Sequence, residues 1–433
     1  MKILLLLAGQ SKRFWPLSEK TLFPICGTTL LDIQIEHLGS AGLDDVILVG
    51  GAHNLEEASA RYPKLKTIEQ EDLDLGMRGA LLSALPECGD EPVMVVSGND
   101  VVEPSAYKSL VENAQEKGGV LLAYRVNKYF PGGYLEVDGD RITSIIEKPG
   151  EGNEPSDLVN IVAHVHNNPA LLLETLKNVK PKRDDGYEQA LATLFPQHEY
   201  SAVAYEGFWQ AVKYPWHLLQ LSDFLLKQVQ EQQIHPSAQI HPTSVIEGPV
   251  IIEEGVKVFP HATIKGPCII GPRSVIANNA LVRGSSIGAD CVIGFSSEVK
   301  ASVLHSHVWT HMSYVGDSII GSNVSFGSGC ATGNLRLDEA VIPSTVQGEE
   351  VSTGLTKFGT VIGNDCRIGI HASLNPGIKI GAGSFVSSHV ALSSDVPEGS
   401  FVRMKKGEVV VCKNKTHAPK PEKRAEFRQK AGF

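Results

Sequence analysis

Every sixth residue is aliphatic in the stretch I-E-E-G-V-K-V-F-P-H-A-T-I-K-G-P-C-I-I-G-P-R-S-V-I, which runs from Ile252 to Ile276. This period fits neither an α-helix, with an apolar face recurring about every 3.6 residues, nor an alternating strand. The nine units of the unbroken run carry Ile234, Ile240, Ile246, Ile252, Val258, Ile264, Ile270, Ile276 and Val282. Shifted registers continue the spacing at Ile287, Ile293 and Val299, at Ile320 and Phe326, and at Ile362, Ile368, Leu374, Ile380 and Val386. The repeat predicts a parallel β-helix, in which each unit forms one flat side and one turn.

Glycine commonly follows the aliphatic position of this repeat. The glycines are Gly271, Gly288, Gly294, Gly321, Gly327, Gly363, Gly369 and Gly381. We expect the aliphatic side chains to stack inside the β-helix and the glycines to supply turn dihedrals that a Cβ would obstruct. The composition agrees, because the chain of 433 residues has 42 glycines and only 6% aromatic residues. A β-sandwich with chance spacing is the alternative.

The first 228 residues predict a different domain. Apolar strand-like runs alternate with amphipathic stretches: strands at 2–7, 45–50, 92–97 and 119–124, and helices at 30–41, 79–85 and 104–117. Such alternation predicts a parallel sheet covered on both faces, with ligands bound beyond the carboxyl ends of its strands. A polar helix near 216–233 then leads out of this domain. The predicted domains are 1–228, 229–400 and a basic C-terminal tail, 401–433, which is expected to be solvated, or alternatively to act as a binding arm.

Charge and cysteine content exclude several classes of function. Lys and Arg number 39 against 49 Asp and Glu, a net charge of −10, which argues against nucleic acid or an anionic membrane as a partner. The apolar run at 1–8 is too short for a signal peptide or a membrane span. Seven cysteines without a C-x-x-C pair argue against structural zinc and a disulfide framework. The expected compartment is the cytosol.

A glycine-containing loop follows the first predicted strand. Leu7 to Gly27 reads L-A-G-Q-S-K-R-F-W-P-L-S-E-K-T-L-F-P-I-C-G, with Arg13 and Lys20 on either side of Pro16. Backbone N–H groups in such a turn face phosphates while the two cations offset their charge. The loop therefore predicts a polyphosphate site.

At this point the chain resembles the sugar-1-phosphate nucleotidylyltransferases. The resemblance extends to S-G-N-D at 97–100, G-G-Y-L-E-V-D-G-D-R-I-T-S-I-I-E-K-P at 132–149 and Y-P-W-H-L-L at 214–219. It implies a Rossmann-like domain in which a sugar-phosphate oxygen attacks the α-phosphorus of UTP, or another nucleoside triphosphate, and pyrophosphate leaves. Arg13 and Lys20 would be catalytic, and Asp100 would hold Mg²⁺. The substrate-binding residues implied are Gly9, Gln70, Gly76, Gly133, Glu147, Lys148 and Asn160.

Two departures from the family pattern bear on this first site. Ser11 stands where the family has its second loop glycine, so a turn suited to glycine must accommodate a Cβ. W-Q-A-V-K places Ala211 where the family has a second metal-binding aspartate, and Lys213 follows it. The loss of one carboxylate should weaken Mg²⁺ binding. Both an active and an impaired nucleotidyl transferase remain open. His164 and His166, in an apolar run, are interpreted as packed strand residues and not as ligands.

The hexad repeat is interrupted beside the segment Thr310–Asp338, where the sequence signal for a functional site is densest. Residues 334–358 break the spacing and must loop out of a coil, and long excursions of this kind are usually functional. Just before them, His311 falls between two registers. It is therefore expected on the surface of a coil, where an imidazole can act as a general base near neutral pH.

The segments Thr310–Asp338 and Thr353–Gly363 resemble the acetyltransferase half of the bifunctional N-acetylglucosamine-1-phosphate uridylyltransferase/glucosamine-1-phosphate N-acetyltransferase family, in its compact archaeal form. The resemblance implies a left-handed β-helix, acetyl-CoA as co-substrate and a homotrimer. His311 would be the base, and Ser373, Ser384 and His371 are candidates for the wall of the CoA site. The sugar phosphate would be contacted by Tyr314, Asn334, Lys357, Arg283 and Lys300.

The resulting hypothesis is a cytosolic enzyme of UDP-N-acetylglucosamine synthesis. Its C-terminal half would acetylate glucosamine 1-phosphate, and its N-terminal half would couple the product to UTP. Two alternatives remain: an acetyltransferase whose N-terminal half only binds substrate, and a non-catalytic regulatory trimer. The sequence leaves open whether the nucleotide is a uridine or a thymidine nucleotide, and which amino sugar accepts the acetyl group.

Overall fold

The chain folds into two compact units whose boundary does not follow the order of the sequence. The computed structural model describes residues 1–114, 118–181 and 184–430. Unit 1 comprises Met1–Gln10 and Leu30–Ala211, and unit 2 joins Ser11–Thr29 to the chain from Val212 onward. The loop segment that carries Arg13 and Lys20 therefore packs with the C-terminal part of the chain.

Unit 1 is built on a nine-stranded sheet in the order β3-β2-β1-β4-β9-β6-β10-β8-β7, with the pair β5 and β11 beside it. The strands are β1 Lys2–Leu6, β2 Val46–Gly50, β3 Lys66–Glu69, β4 Val93–Ser97, β5 Asp100–Val102, β6 Gly119–Arg125, β7 Gly133–Asp138, β8 Arg141–Glu147, β9 Leu158–His166, β10 Tyr200–Tyr205 and β11 Trp209–Ala211. The helices are α1 Leu30–Ser40, α2 Leu55–Arg61, α3 Gly76–Ala84, α4 Pro104–Asn113, α5 Pro169–Asn178 and α6 Gly186–Leu194, with 3₁₀ turns at Leu73–Leu75 and Leu85–Glu87. Both β2 and β4 are buried at every residue, as expected for strands covered on two faces.

The prediction of a parallel sheet holds for only part of unit 1. Strands β3, β2, β1 and β4 are parallel, and so are β6 and β10, whereas β9 runs antiparallel to both β4 and β6, and β7 and β8 form a hairpin. A parallel pair needs a long crossover, usually a helix. Between β6 and β9 the chain instead reverses through the hairpin of β7 and β8, so β9 runs antiparallel to β6 and β7 and in the same direction as β8.

Unit 2 is a left-handed parallel β-helix with three sides, made of sheets of eight, ten and eight strands. The first sheet contains Gln233–Ile234, Val250–Ile252, Cys268–Ile270, Ser286–Ile287, Val303–Leu304, Ile319–Ile320, Val361–Ile362 and Lys379–Ile380. The second contains Gln239–Ile240, Lys257–Val258, Val275–Ile276, Val292–Ile293, Trp309–Thr310, Ser325–Phe326, Arg367–Ile368, Phe385–Val386, Ser400–Lys405 and Glu408–Lys413. The third contains Val245–Glu247, Thr263–Lys265, Leu281–Arg283, Glu298–Lys300, Tyr314–Gly316, Ala331–Thr332, Ser373–Leu374 and Ala391–Leu392.

The helices outside unit 1 are α7 His217–Lys227 and α8 Pro421–Lys430, with a 3₁₀ turn at Lys12–Phe14. The repeat's aliphatic residues from Ile252 to Val386 are buried in one continuous core, against which Ile240 and Ile246 pack. Among the helices described over 1–114, 118–181 and 184–430, none is long and apolar enough to cross a membrane.

The glycines of the repeat serve a purpose other than the predicted one. None of the eight has a positive φ; the left-handed residue lies two positions later. A Cβ on Gly294 would lie 2.0 Å from Thr310 O, and one on Gly288 would lie 2.6 Å from His305 C. Glycine is needed there because the next coil leaves no room. The left-handed positions are Arg273, Asp290, Ser296, Asn323, Gly329, Asp365, His371 and Gly383.

Replacing Gly288 by alanine should therefore destabilise the β-helix through a clash between coils. We expect the free energy of unfolding to fall by about 1–3 kcal/mol beyond that of a strain control. Gly284→Ala is that control, because its φ is +55° and an added Cβ would meet nothing within 4 Å. Denaturant unfolding of both variants separates the clash between coils from the backbone strain. Equal losses of unfolding free energy in the two variants would contradict the clash.

Two segments depart from the regular coils. The predicted excursion is confirmed: strands Pro343–Val346 and Glu349–Ser352 form an antiparallel hairpin, and the next coil pairs in register with the one before it. The tail differs from the solvated segment expected. Its hairpin at 400–413 extends the second sheet, and Arg424 is buried, donating to His307 O at 2.7 Å with its guanidinium over the Trp309 ring.

Candidate active sites

His311 lies on the surface of the β-helix, as its position between registers predicted. It follows the strand Trp309–Thr310 at the corner between the second and third sheets, and it is exposed. Met312 has a φ of 43°, which turns the chain, and its N–H donates to Phe295 O at 3.0 Å. Ser313 Oγ donates to His311 O at 2.8 Å. The corner backbone is thus fixed while the imidazole faces outward.

A buried carboxylate joins three of the predicted sugar-phosphate residues. Lys300 Nζ donates to Asp317 Oδ2 at 3.3 Å, and Asn334 Nδ2 donates to the same oxygen and to Tyr314 Oη at 3.1 Å. These side chains come from three successive coils. Both amide hydrogens of Asn334 are used in these bonds, so its Oδ1 is left to accept from a ligand. Sequence reasoning missed Asp317, although it lies between Tyr314 and the next hexad.

Cations stack on the outer side of the third sheet. Lys265, Arg283 and Lys300 occupy paired positions on consecutive coils. Arg283 Nε and Nη2 donate to Glu298 Oε1 at 2.9 and 2.6 Å. Arg283 and Lys300 each keep further N–H donors beyond these carboxylate bonds, so both can still bind a phosphate.

The two ends of the excursion meet beside Asn334. Leu335 forms an antiparallel bridge with Lys357, and Phe358 N–H donates to Asn334 O at 3.0 Å. Lys357 is exposed. The fold therefore brings Lys357 next to Asn334 across 22 intervening residues of loop.

The three candidates for the CoA wall have different surroundings. Ser373 is exposed, and so is His371, whose ring stacks on His389 with centroids 5.2 Å apart. Ser384 is fully buried; its hydroxyl donates to Pro397 O at 2.9 Å and accepts from Ser400 N–H at 3.1 Å. Ser384 therefore presents no surface to a ligand in this chain, and its hydroxyl holds two coil segments together.

The loop that carries Arg13 and Lys20 accommodates its serine in an unusual backbone conformation. Ser11 has φ 50° and ψ 19°, the left-handed region that its position in the family pattern indicated. Its hydroxyl donates to Glu19 Oε2 at 3.4 Å and accepts from Lys20 N–H at 3.5 Å. Arg13 is exposed, with its guanidinium 5.9 Å from the centre of the Tyr214 ring. The serine side chain thus stabilises the turn that it strains.

The same loop is anchored on the β-helix. Cys26 N–H donates to Ser286 Oγ at 2.9 Å, and the Phe23 ring packs edge-on against His305 at 5.7 Å. Lys379, only 2% exposed, lies 3.0 Å from Asp395 and 5.4 Å from the centre of the Trp15 ring. Its ammonium also donates to Thr345 O in the excursion hairpin. Trp15 and this hairpin thus share one buried cation.

Ala211, which stands where the family pattern has a second metal-binding aspartate, lies opposite Asp100 in unit 1. Ala211 and Asp100 are directly paired across β11 and β5. Trp209 Nε1 donates to Asp100 Oδ1 at 2.9 Å, which fixes the carboxylate. In the described parts of the chain, no group of three or more His, Cys, Asp or Glu could hold a metal. One carboxylate still fits Mg²⁺, because this ion commonly takes one or two carboxylates and completes its shell with substrate phosphates and water.

The predicted base-recognition loop is held by its own glutamine. Gln70 is buried, and its Nε2 donates to Asp72 O at 2.7 Å and to Gly76 O at 3.0 Å. Gly76 combines φ 55° with ψ −142°, a region open essentially only to glycine, and a Cβ would lie 1.8 Å from Asp184 Oδ1. Gly9 is exposed just beyond the end of β1. Gln70 therefore shapes the loop through both of its amide hydrogens.

The predicted sugar-binding segment forms the hairpin of β7 and β8. Gly133 pairs with Glu147, and a Cβ on Gly133 would lie 3.2 Å from Glu147 Oε2. Lys148 Nζ is 2.8 Å from Glu147 Oε1. Burial, reinforced by the charge of Glu147, raises the pKa of Glu188 to about 7. Two carboxyl groups thus share this region with one cation.

Glu188→Gln should change how stability depends on pH. The raised pKa means that the fold favours the neutral acid, so the cost is absent below the ordinary value of 4.5 and grows as pH rises toward about 7. Between pH 5 and 8 the native protein should lose about 2–3 kcal/mol through this group. The glutamine variant should lose correspondingly less in denaturant unfolding at the two pH values. An unchanged difference would contradict the assignment.

Asn160 and the two histidines lie on β9. Both His164 and His166 are fully buried, which confirms that they are packed strand residues. Asn160 is half-buried, with its Oδ1 2.7 Å from His164 Nε2. Val159 beside it pairs with Tyr134 of β7. Asn160 therefore lies next to the strand that begins at Gly133.

Three family models match successive parts of the chain. They are described as nucleotidyl transferase, over residues 2–228, GMPPB C-terminal domain, over 228–312, and bacterial transferase hexapeptide (six repeats), over 359–394.

Curated relatives match nearly the whole length. A bifunctional sugar-1-phosphate nucleotidylyltransferase/acetyltransferase of Sulfurisphaera tokodaii is 29% identical over 93% of this chain and 100% of its own. Bifunctional GlmU proteins of Methanococcus vannielii and Methanococcus maripaludis strain C7 are 30% and 32% identical, over 95% and 96% of this chain and 100% of theirs. With this similarity and a nucleotidyl transferase match over more than half of its residues, the chain belongs to the family of bifunctional sugar-1-phosphate nucleotidylyltransferase/acetyltransferases.

Proposed function

We propose that this transferase carries out two steps of UDP-N-acetylglucosamine synthesis, acetylation of glucosamine 1-phosphate and coupling of the product to UTP. The observation that carries the proposal is the exposed position of His311 on the coil that also carries Tyr314 and Asp317, which are hydrogen-bonded with Lys300 and Asn334 of the neighbouring coils. A base, sugar contacts and phosphate-binding cations on neighbouring coils are what transfer of an acyl group to an anionic amino sugar requires.

In the acetylation step, the neutral amine of the sugar attacks the thioester carbonyl carbon of acetyl-CoA. A C–N bond forms, the C–S bond breaks, and the CoA sulfur leaves and takes up a proton. His311 removes the proton that the amine loses. Arg283 and Lys300 hold the phosphate, and Tyr314, Asn334 and Lys357 orient the sugar ring, with Ser373 and His371 proposed along the CoA site.

In the nucleotidyl step, a phosphate oxygen of the acetylated sugar attacks the α-phosphorus of UTP, and pyrophosphate leaves. Arg13 and Lys20 offset the charge that develops, while Gly9, Gln70 and Gly76 form the nucleotide loop. Gly133, Glu147, Lys148 and Asn160 bind the sugar. Asp100 would hold Mg²⁺, which neutralises phosphate charge when bound. The residues' work here is positioning and electrostatic stabilisation.

We also propose a homotrimer of β-helices in the cytosol. Apolar side chains are exposed around His311, with Phe295 and Met312 each more than half exposed. Neighbouring copies would cover them and complete the CoA site. All seven cysteines, each in the described part of the chain, are free thiols, as expected of a reducing compartment.

The test measures both reactions on the purified protein. Thiol release from acetyl-CoA with glucosamine 1-phosphate reports the first, and pyrophosphate release from UTP with N-acetylglucosamine 1-phosphate, with and without Mg²⁺, reports the second. Turnover in both supports the proposal. Acetyl transfer alone would favour the candidate that Ala211 suggests, an acetyltransferase whose N-terminal half only binds substrate. No turnover in either would contradict the proposal.

A further inference from the structure

A chain of hydrogen bonds runs through the interior of unit 1 and ends at Asn160. Tyr200 Oη lies 3.0 Å from His166 Nδ1, and His166 Nε2 lies 2.8 Å from Tyr187 Oη. Tyr187 Oη is in turn 2.7 Å from His164 Nδ1, and His164 Nε2 is 2.7 Å from Asn160 Oδ1. The four aromatic side chains are at most 2% exposed.

Burial fixes the protonation states of the two histidines and two tyrosines in this chain of hydrogen bonds. It lowers the pKa of His166 to about 3, and it lowers the pKa of His164 well below its ordinary value, with a further contribution from His166. Burial also raises the pKa of both tyrosines. Both imidazoles are therefore neutral near pH 7, and each has one N–H donor and one acceptor nitrogen.

These numbers of donors and acceptors assign a direction to every bond. Asn160 Oδ1 can only accept, so His164 donates from Nε2 and accepts at Nδ1 from the Tyr187 hydroxyl. Tyr187 oxygen then accepts from His166 Nε2, and His166 Nδ1 accepts from Tyr200. If His166 Nδ1 donated to Tyr200 instead, the buried Tyr200 hydroxyl would have to donate its own hydrogen to another acceptor. It has none among residues 1–114, 118–181 and 184–430. A buried donor without a partner is costly, so the first direction is favoured.

We propose that Tyr200, His166, Tyr187 and His164 are positioning residues that hold Asn160 with its amide N–H groups directed at an acceptor oxygen of the sugar 1-phosphate. Asn160 Nδ2 has no partner within the described residues, so its donors are available to a ligand. A carbonyl or hydroxyl oxygen satisfies them, whereas an ammonium group at the same place does not. The inference rests on the proposed sugar-binding role of Asn160. It adds the reason why the amide N–H groups of Asn160, and not its oxygen, face the ligand.

The first test reads the chain directly and needs no activity. Nitrogen-15 NMR of the histidine side chains distinguishes the two neutral tautomers. We expect His164 and His166 both to carry the proton on Nε2 and to stay neutral down to pH 5. An Nδ1–H tautomer at either residue would overturn the assigned direction, whether or not nucleotidyl transfer occurs.

The second test breaks the middle of the chain. Tyr187→Phe keeps the ring but removes the hydroxyl, so His164 loses its donor and Asn160 is free to rotate. The dissociation constant of N-acetylglucosamine 1-phosphate, measured by calorimetry, should rise roughly five- to tenfold, the value of about one hydrogen bond. The KM of UTP should not change. The matched control is Tyr205→Phe. Tyr205 lies on β10, like Tyr200, but its hydroxyl donates to Glu103 Oε2 instead, so its loss should leave sugar binding unaltered.

A third variant guards against misfolding of Tyr187→Phe. Asn160→Asp keeps the acceptor for His164 and replaces the two donors with a second acceptor. It should weaken binding of N-acetylglucosamine 1-phosphate by roughly tenfold or more. Binding as tight as in the native protein, in this variant or in Tyr187→Phe, would overturn the proposal. Native protein that binds the sugar phosphate without turnover would instead contradict only the proposed nucleotidyl step.

Discussion

His311→Ala is expected to lower acetyl transfer by roughly 10²–10⁴-fold, because a positioned general base contributes about that much to proton transfer. The neutral amine loses a proton as the C–N bond forms, and water must then accept it. Nothing in the corner backbone depends on the imidazole, since Met312 N–H and Ser313 Oγ hold the turn through main-chain oxygens. The variant should therefore fold normally. Thiol release at saturating acetyl-CoA measures the loss.

Two controls make this result specific. His241→Ala removes another exposed histidine of the β-helix and should leave acetyl transfer unchanged. Pyrophosphate release should be equal in the native protein and in His311→Ala, because His311 lies on the β-helix and is proposed to act only in the acetyl step. Acetyl transfer that survives in His311→Ala would mean that a different group is the base.

Asp100→Asn is expected to lower nucleotidyl transfer by roughly 10²–10³-fold, the usual effect of losing one electrostatic contact to the transition state. Asparagine can still accept from Trp209 Nε1, so the pairing of β5 and β11 should persist. The residual rate should need more Mg²⁺. Pyrophosphate release across a Mg²⁺ titration measures both effects, with acetyl transfer as the internal control. A native Mg²⁺ requirement in the variant would show that another group holds the ion.

Ala211→Asp is the reciprocal variant. It places a second carboxylate directly opposite Asp100, so the Mg²⁺ concentration at half-maximal rate should fall. Without metal, the two like charges should destabilise the protein, and Mg²⁺ should restore the melting temperature. A variant indifferent to Mg²⁺ in both measurements would contradict a metal site at this pair.

The β-helix could be predicted because its signal is local: the spacing of aliphatic residues repeats within each coil. The role of its glycines could not, since the atoms that would clash with a Cβ on Gly294 belong to a coil 16 residues further on. Asp317 was missed for the same reason. Its partners Lys300 and Asn334 lie on neighbouring coils and become neighbours only when the coils stack.

The α/β unit was predicted less completely. Individual strands such as β1 and β4 were found because they are continuous apolar runs, but their directions depend on the connections between them. The antiparallel direction of β9 follows from the hairpin of β7 and β8, which the alternation of the earlier segments did not predict. The position of Ala211 opposite Asp100 was indicated by the resemblance, and the pairing of β5 and β11 gives it a geometric basis.

The anchoring of Ser11–Thr29 on the β-helix limits how modular this enzyme can be. In sequence the chain looks like a fusion of two genes that could be divided near residue 228. A fragment ending there would keep Arg13 and Lys20 but lose Ser286, His305 and Lys379, which the loop contacts. The loop on which the proposed nucleotidyl step depends is therefore supported by residues of the β-helix, and a fragment without them should lose the packing that holds Arg13 and Lys20 in place.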